Sequence, residues 1–152
     1  MLNESDLSTL HFQCQSCGYC CAGDSGYIFL TEEDLDTILE HLKISGAVFI
    51  DKYCHWVSIE EKEYLSIREE ESIPRCVFLD EANRCRIYGA RPLQCRTYPF
   101  WPRIVKSFYA WKEEAKNCPG MGKGSVVEPL EAGEKIVLER NARHICRDKE
   151  KR

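Results

Sequence analysis

The sequence predicts a small, irregular α+β domain with short strands, hairpins and about three helices, stabilised by bound metal. Apolar residues at helical spacing, from Leu35 to Leu42, predict an amphipathic helix. Short runs rich in β-branched and aromatic residues between turn residues predict strands. Ten cysteines in 152 residues exceed what a core of this size uses, and their clustering indicates metal ligands.

The first half of the chain divides into short elements. A cysteine-rich loop runs to about Ser25, and residues 26–30 read as a strand. Thr31 is placed to cap the amphipathic helix, because acidic residues fill the first turn that follows it. Ser45 begins a second helix. Residues 56–67 predict a hairpin that turns at the charged residues 60–63.

The middle of the chain predicts a second hairpin. Residues 76–79 and 85–88 read as two short strands, with the turn at residues 80–83. Pro92 begins a short helical turn. We expect this turn to bring Cys95 back towards the hairpin.

The last third predicts one more helix. Aromatic residues at 108–111 suggest a strand, and the glycines of residues 120–124 suggest a flexible loop. A helix is expected over about residues 129–148, and the charged end, RDKEKR, is expected to be frayed. We interpret residues 1–152 as one domain with its core at about residues 12–124.

Composition argues against several classes of protein. A net charge of −4 and a pI of about 5.6 disfavour binding to nucleic acid, and no cysteine pair is followed by the paired histidines of a DNA-binding zinc finger. No run approaches the roughly 20 apolar residues of a membrane span. The N-terminus lacks the features of a signal peptide. We therefore expect a cytoplasmic protein that binds an unidentified protein partner.

The segment CQSCGYCC carries the strongest functional signal. Cys14, Cys17, Cys20 and Cys21 form two overlapping C-x₂-C steps followed by one further thiol. Each step lets one turn of backbone direct two sulfurs at one point, as structural zinc and iron–sulfur sites require. Disulfide bridges are the alternative, but the absence of a signal peptide and the length of the chain disfavour them.

Further motifs extend this signal. CVFL, CRIYGARPLQCRTYPF and CPG follow the cysteine cluster and an LTEEDL helix start in that order. This arrangement resembles the YkgJ-type cysteine-cluster (CxxCxxCC) family, described as a zinc- or iron-chelating domain, over roughly residues 12–124. The resemblance implies eight metal ligands, with Cys54 and Cys146 outside the set: Cys14, Cys17, Cys20, Cys21, Cys76, Cys85, Cys95 and Cys118.

Eight thiolates admit more than one cofactor. The C-x₂-C-x₂-C run of residues 14–20 favours an iron–sulfur cluster. Separated pairs of thiols suit tetrahedral zinc equally well. Adjacent side chains usually point apart, so Cys20 and Cys21 are expected to serve two different centres.

Anionic metal centres attract cations and hydrogen-bond donors. Arg91 and Arg96 flank Cys95, and we expect them to neutralise the charge of a bound cluster. Tyr98 is expected to donate a hydrogen bond to a sulfur. These three residues are therefore our candidates for binding the cofactor outside the ligand set.

Three functions remain open from the sequence. The first is a metal-binding protein that carries an iron–sulfur cluster, zinc or both, with a role in redox chemistry, sensing or cluster handling. The second is a zinc-stapled structural or protein-interaction domain. The third is a protein-modifying enzyme, because a related cysteine cluster occurs in flagellin lysine N-methylases. The sequence leaves the question of enzymatic activity undecided, since no catalytic residue can be assigned.

Overall fold

The computed structural model describes residues 1–149 and shows the predicted α+β class. Four substantial helices, α3, α4, α6 and α7, accompany three short ones in this part of the chain. The helices are α1 Glu4–Leu7, α2 Tyr19–Ala22, α3 Glu32–Leu42, α4 Gly46–Tyr53, α5 Leu93–Thr97, α6 Phe108–Ala115 and α7 Pro129–Asn141. The strands are β1 His11–Phe12, β2 Ile28–Phe29, β3 Cys54–Ile59, β4 Lys62–Ile67, β5 Met121–Val126 and β6 Cys146–Asp148.

The strands form two small antiparallel sheets. In the larger sheet, β4 pairs with β3 along one edge and with both β2 and β6 along the other. The predicted hairpin of residues 56–67 is therefore confirmed. Its tight turn lies at Glu60 and Glu61, and Glu60 has a φ of 51°. The smaller sheet pairs β1 with β5 and so joins the N-terminal segment to the glycine-rich segment.

Two clusters of buried side chains support these sheets. The sheet core consists of Leu30, Ile38, Phe49, Cys54, Leu65, Ile67, Phe78, Ile87 and Ala90. The terminal core consists of Leu2, Leu7, Leu10, Phe100, Ile104, Val105, Trp111, Cys118, Met121, Val127, Ala132 and Ile136. The N-terminal residues thus pack against residues 100–136 through the terminal core, while residues 30–90 build the sheet core.

Asp34 links helix α3 to helix α5. Its carboxylate accepts the amide of Thr31 at 3.0 Å, and the Thr31 hydroxyl accepts the amide of Asp34 at 3.1 Å. This reciprocal pair is a capping box, as the sequence led us to expect at Thr31. The other carboxylate oxygen of Asp34 accepts the amide of Leu93 at 2.8 Å. The start of α5, and with it Cys95, is therefore fixed by a buried side chain of α3.

The predicted hairpin of residues 76–88 is wrong in detail. Only one isolated bridge, between Leu79 and Cys85, joins its two arms. The side chain of Asp80 accepts the amides of Ala82 and Arg84 at 2.9 and 2.8 Å. Because this carboxylate takes amides that could otherwise join a strand ladder, the segment folds as successive turns. A 3₁₀ turn then covers Tyr88–Ala90.

Two expectations for the last third are also wrong. The aromatic segment is helix α6 rather than a strand, because the Ser107 hydroxyl accepts the amide of Ala110 at 3.1 Å and caps a helix. The glycine segment is strand β5 rather than a flexible loop. Gly122 and Gly124 have φ angles of 84° and 74°, a region that favours glycine and that lets this irregular strand pair with β1.

The C-terminal helix is present but shorter than expected. Helix α7 ends at Asn141, and the chain then turns back to add β6 to the larger sheet. Cys146, expected in a buried helical setting, is exposed on this strand. The last three residues of the predicted frayed end, 150–152, lie outside the described residues. Within residues 1–149, no helix is long and apolar enough to cross a membrane.

Candidate metal centre

Backbone hydrogen bonds bring the cysteine-rich N-terminal segment to the middle of the chain. Gly18, with a φ of 76°, begins helix α2, which carries Cys20 and Cys21. The carbonyl oxygen of Cys21 accepts the amide of Cys76 at 2.7 Å. The antiparallel bridge between Leu79 and Cys85 brings Cys85 back towards the segment that begins at Cys76. Two segments far apart in sequence therefore present four thiols to one region.

Helix α5 supplies a fifth thiol. The charge of Cys95 raises the pKa of Cys21, and the charges of Cys76, Cys20 and Cys85 raise the pKa of Cys95, so these thiols lie within electrostatic range of one another. We call these five residues the principal thiol set: Cys20, Cys21, Cys76, Cys85 and Cys95. They come from α2, from the turns of residues 76–85 and from α5.

Cys20 and Cys21 do not point apart, in contrast to the sequence-based expectation. Their sulfurs are 3.9 Å apart. Two thiolates bound to one tetrahedral ion at about 2.3 Å would stand about 3.8 Å apart. The short helix α2 thus brings adjacent thiols to the spacing of two ligands on one ion. This donor set fits a thiophilic metal.

The electrostatics of the principal thiol set also suit a cation. Burial is the main cause that raises the pKa of Cys76, Cys85 and Cys95. The nearby charge of Arg91 opposes this rise at Cys85 and Cys95. A hydrogen bond with Cys21 lowers the pKa of Cys20 and raises that of Cys21. Cys20 is exposed and the other four thiols are half-buried. A bound divalent cation would replace the thiol protons and stabilise the thiolates.

The three predicted cofactor-binding residues have different surroundings. Arg91 stacks 3.8 Å above the ring of Tyr88 and places its charge near Cys20, Cys85 and Cys95. Arg96 donates to the carbonyl of Arg91 at 3.0 Å and lies 3.9 Å from Asp34, so its role at a metal stays a prediction.

Tyr98 contacts a different cysteine. Its hydroxyl donates to the carboxylate of Glu114 at 2.9 Å. Burial raises the pKa of Tyr98, and so do its hydrogen bond to Glu114 and the neighbouring Cys118 thiol. Tyr98 therefore lies beside Cys118, which is buried in the terminal core.

The remaining three predicted ligands lie apart from the principal thiol set. Cys14 and Cys17 are exposed in the loop before α2, whereas Cys118 is buried. All ten cysteines are unbridged. Within residues 1–149, no three His, Cys, Asp or Glu side chains stand close enough together to share one ion. Metal binding would therefore draw the sulfurs of either group closer together.

A cavity of about 380 Å³ opens beside the principal thiol set. It lies between residues of the larger sheet and residues of α5 and α6, and the thiols of Cys20, Cys21 and Cys76 form part of its wall. The Tyr19 hydroxyl donates to Asp24 at 2.8 Å, and this bond is the main cause that raises the pKa of Tyr19 to about 12.

Sequence reasoning missed Tyr19 and Glu114 in this wall. Glu114 stands in a charged run of α6, where a solvated surface position is the usual interpretation. Tyr19 is a spacer residue between two cysteines of the cluster. Only the folded arrangement brings the two side chains to one cavity, so no local signal in the sequence identifies them.

The fold and the thiols together define a small cysteine-rich α+β domain. Comparison with known families agrees. The family model described as "CxxCxxCC: Putative zinc- or iron-chelating domain" matches residues 13–119, and the chain belongs to this family. The resemblance drawn from the cysteine motifs is thereby confirmed.

A similar protein gives no further functional information. Uncharacterized protein MJ0661 of Methanocaldococcus jannaschii is 30% identical to the chain over 95 residues. The match covers 62% of this chain and 47% of that protein, so the chain spans about half the length of this relative. No solved structure matches the chain.

Proposed function

We propose that the chain is a metal-binding protein whose principal centre is one tetrahedral ion, zinc or iron, bound by four thiolates of the principal thiol set. The observation that carries this proposal is the convergence of five thiols from three separate segments. Packing alone gives no reason for such a cluster, because buried thiols that do not bind metal behave as small isolated hydrophobes.

The spacing of Cys20 and Cys21 supports a single ion over a four-iron cluster. A four-iron cluster held by four cysteines takes one cysteine at each iron, which places the sulfurs of different ligands farther apart than two ligands of one ion. The observed 3.9 Å instead agrees with the edge of one tetrahedron. Zinc or a single iron is therefore favoured over a four-iron cluster. A two-iron cluster, in which each iron takes two cysteines, agrees with the same spacing and becomes the alternative.

The position of the centre supports a structural role for the metal. The principal thiol set joins α2 and the turns of residues 76–85 to helix α5. Helix α5 in turn contacts α7, where the hydroxyl of Thr97 donates to the carboxylate of Glu139 at 2.9 Å. An ion bound here would tie the sheet core to the terminal core and would add its binding energy to the stability of the fold.

Metal analysis of the intact chain tests this proposal. The protein is purified without oxygen, its metal content is measured by mass spectrometry of the elements, and its absorption spectrum is recorded. We expect Cys21→Ser/Cys95→Ser, which leaves three of the five thiols, to lose one metal equivalent relative to the wild type. The matched control is Cys146→Ser, which removes an exposed thiol outside the predicted ligands and should retain the full content.

The outcomes separate the candidates. A colourless protein with zinc supports the single-ion centre, and so does a protein with one iron per centre and no labile sulfide. Labile sulfide with a brown colour would establish the iron–sulfur alternative. Metal-free protein, or a Cys21→Ser/Cys95→Ser variant with unchanged content, would refute the proposal, because only three thiols of the set remain in that variant. Serine substitution of each member of the principal thiol set then identifies the fifth thiol that a four-ligand ion does not use.

A further inference from the structure

We propose that the cavity beside the principal thiol set binds an organic cation, an alkylammonium or guanidinium group at the end of a flexible chain. This group belongs either to a small amine or to a lysine or arginine side chain of a partner protein. The inference goes beyond the proposed metal centre, because it assigns a ligand to the cavity itself and does not depend on bound metal. Its basis is the combination of aromatic rings and carboxylates in the cavity wall.

Aromatic rings form a large part of this wall, which includes Tyr19, Tyr27, Tyr98 and Trp101. Tyr98 and Trp101 meet edge to face, with their ring centroids 5.2 Å apart. The indole N–H of Trp101 donates to the carbonyl of Gln94 at 2.9 Å, which fixes the ring relative to α5. The electron-rich faces of such rings attract cations, and this attraction grows when the cation loses water.

Two carboxylates are held among these rings by tyrosine hydroxyls. Tyr98 donates to one oxygen of Glu114 at 2.9 Å, and Tyr19 donates to one oxygen of Asp24 at 2.8 Å. Each tyrosine thus leaves the second oxygen of its carboxylate for another donor. The side chain of Glu114 is only 16% exposed. A carboxylate shielded from water in this way attracts a cation more strongly than one in open solvent.

Arg103 already fills this arrangement with a cation of the protein itself. Its guanidinium carbon lies 4.8 Å from the centre of the Trp101 ring, and one of its nitrogens lies 3.7 Å from the second carboxylate oxygen of Glu114. This distance is too long for a hydrogen bond. The Arg103 side chain is also 63% exposed, so solvent weakens the ion pair. An external cation that enters the cavity would therefore compete with Arg103 for Trp101 and Glu114.

The other charged residues of the wall do not oppose a cation. Glu69 adds a third carboxylate, which accepts the Ser25 hydroxyl and the Gly26 amide. Arg68 is the second arginine of the wall. Burial raises the pKa of Cys54 and the charge of Arg68 opposes this rise, so the positive charge of Arg68 acts towards strand β3. The wall carries one more carboxylate than guanidinium groups.

The size and the rim of the cavity limit the ligand. Its volume of about 380 Å³ lies near the lower end of the roughly 300–1,000 Å³ that is usual for ligand sites, so it suits a single flexible chain. At the rim, Tyr27 is exposed, and its ring centroid lies 6.1 Å from that of His55. A peptide that inserts a basic side chain would contact this aromatic rim, whereas a small free amine would not.

Titration of the full chain with a simple amine tests the inference. Isotope-labelled protein, with the metal that it carries after purification, is titrated with n-butylammonium chloride, and the indole N–H signal of Trp101 is followed by nuclear magnetic resonance. Glu114→Gln should bind the amine about 10-fold more weakly, because it removes the charge from a charge-assisted hydrogen bond. Arg103→Gln should bind it about 2- to 5-fold more tightly, because it removes the competing guanidinium.

Two matched variants control for general electrostatic effects. Glu113→Gln removes the same charge as Glu114→Gln from the neighbouring, exposed position of α6. Lys106→Gln removes an exposed cation from the segment that also carries Arg103. Both controls lie outside the cavity wall and should bind n-butylammonium as the wild type does.

The outcomes decide both the site and the source of the cation. Absence of n-butylammonium binding, tighter binding of acetate at the same signal, or equal losses in Glu114→Gln and Glu113→Gln would overturn the inference. If Glu114→Gln does not fold, the exposed substitution Arg103→Gln decides, and an affinity no higher than that of Lys106→Gln would overturn it. A lysine peptide that binds more tightly than n-butylammonium supports a partner protein, and equal affinities support a free amine.

The same titration separates this inference from the proposed function. Protein that contains metal but does not bind n-butylammonium would overturn the cation site and leave the metal centre intact. Protein that binds n-butylammonium but contains no metal would support the cation site and refute the metal centre.

Discussion

The backbone amide of Cys76 donates a hydrogen bond of 2.7 Å to the carbonyl oxygen of Cys21. This single contact joins the cysteine-rich N-terminal segment to the middle of the chain. It also places the thiols of α2 beside those of residues 76–85. Because a thiolate site needs several sulfurs at one point, this backbone contact is the structural basis of the principal thiol set. The metal would then reinforce an arrangement that the protein backbone already favours.

Replacement of Arg91 should weaken metal binding without unfolding the protein. Its charge lies near Cys20, Cys85 and Cys95, where it would offset the negative charge of bound thiolates. Residues that support metal ligands in this way typically change affinity about 10- to 100-fold. We expect a loss in this range for Arg91→Ala, measured by competition with a coloured chelator.

Two further variants control for this effect. Arg91→Lys keeps a positive charge and should recover most of the affinity. Arg143→Ala removes an exposed cation beyond the end of α7 and should bind metal as the wild type does. Equal affinities for Arg91→Ala and Arg143→Ala would show that Arg91 does not act on the metal centre.

Loss of the Asp34 carboxylate should destabilise the fold. This side chain is 3% exposed and accepts the amides of Thr31 and Leu93. Asp34→Ala removes a helix cap and leaves buried amides without an acceptor, so we expect a loss of about 2–4 kcal/mol. Urea unfolding of the metal-loaded protein measures the change. Asp36→Ala, an exposed substitution on the same helix, should cost less than about 0.5 kcal/mol, and a similar loss for both would reject the linking role of Asp34.

Two glycine-to-alanine substitutions should have opposite effects. Gly120→Ala places a Cβ against the Gln13 carbonyl and should separate β1 from β5, which would lower stability. Gly133 lies within α7 with open space around its Cβ position. Gly133→Ala should therefore stabilise the protein by about 0.5–1 kcal/mol, because alanine favours the helix. Thermal unfolding of both variants checks the pair, and a stabilised Gly120→Ala would contradict the close approach of Gly120 to Gln13.

Removal of metal should lower the melting temperature markedly. Thiolate zinc sites contribute about 10–16 kcal/mol of apparent binding free energy in small peptides, and 1 kcal/mol corresponds to about 2–4 °C at this chain length. Even a part of this energy predicts a fall of about 10 °C or more after treatment with a strong chelator. The Cys21→Ser/Cys95→Ser variant should respond less, since three remaining thiols are too few for its principal centre. An unchanged melting temperature in the wild type would exclude a structural role for the metal.

Local signals in the sequence predicted the elements that depend on local interactions. Thr31 and the acids that follow it predicted the start of α3, because a capping box is formed by residues three apart. The apolar residues on either side of the charged residues 60–63 likewise predicted the β3–β4 hairpin. The cysteine motifs predicted the family and the candidate ligands, since the chemistry of a thiolate site is carried by residue type and spacing.

The same local signals could not predict elements whose structure depends on residues far away in the sequence. Strand β5 contains two glycines and reads as a loop, and only its pairing with β1 makes it a strand. The grouping of the thiols depends on the Cys21–Cys76 contact, which joins residues far apart in sequence. The expectation that Cys20 and Cys21 diverge failed because the short helix α2 turns both sulfurs the same way. The cavity wall also contains Tyr19 and Glu114, which no local pattern in the sequence identifies.

The central claim is that the thiols of this chain bind metal, and native mass spectrometry of the anaerobically purified full chain tests it most directly. We expect a native mass equal to that of the polypeptide plus at least one zinc or iron ion, less the mass of the thiol protons that the metal displaces. Denaturation in acid should release the ion and restore the mass of the fully reduced chain. A native mass equal to the bare reduced polypeptide, or one lowered only by the hydrogens lost to disulfide bonds, would contradict the account.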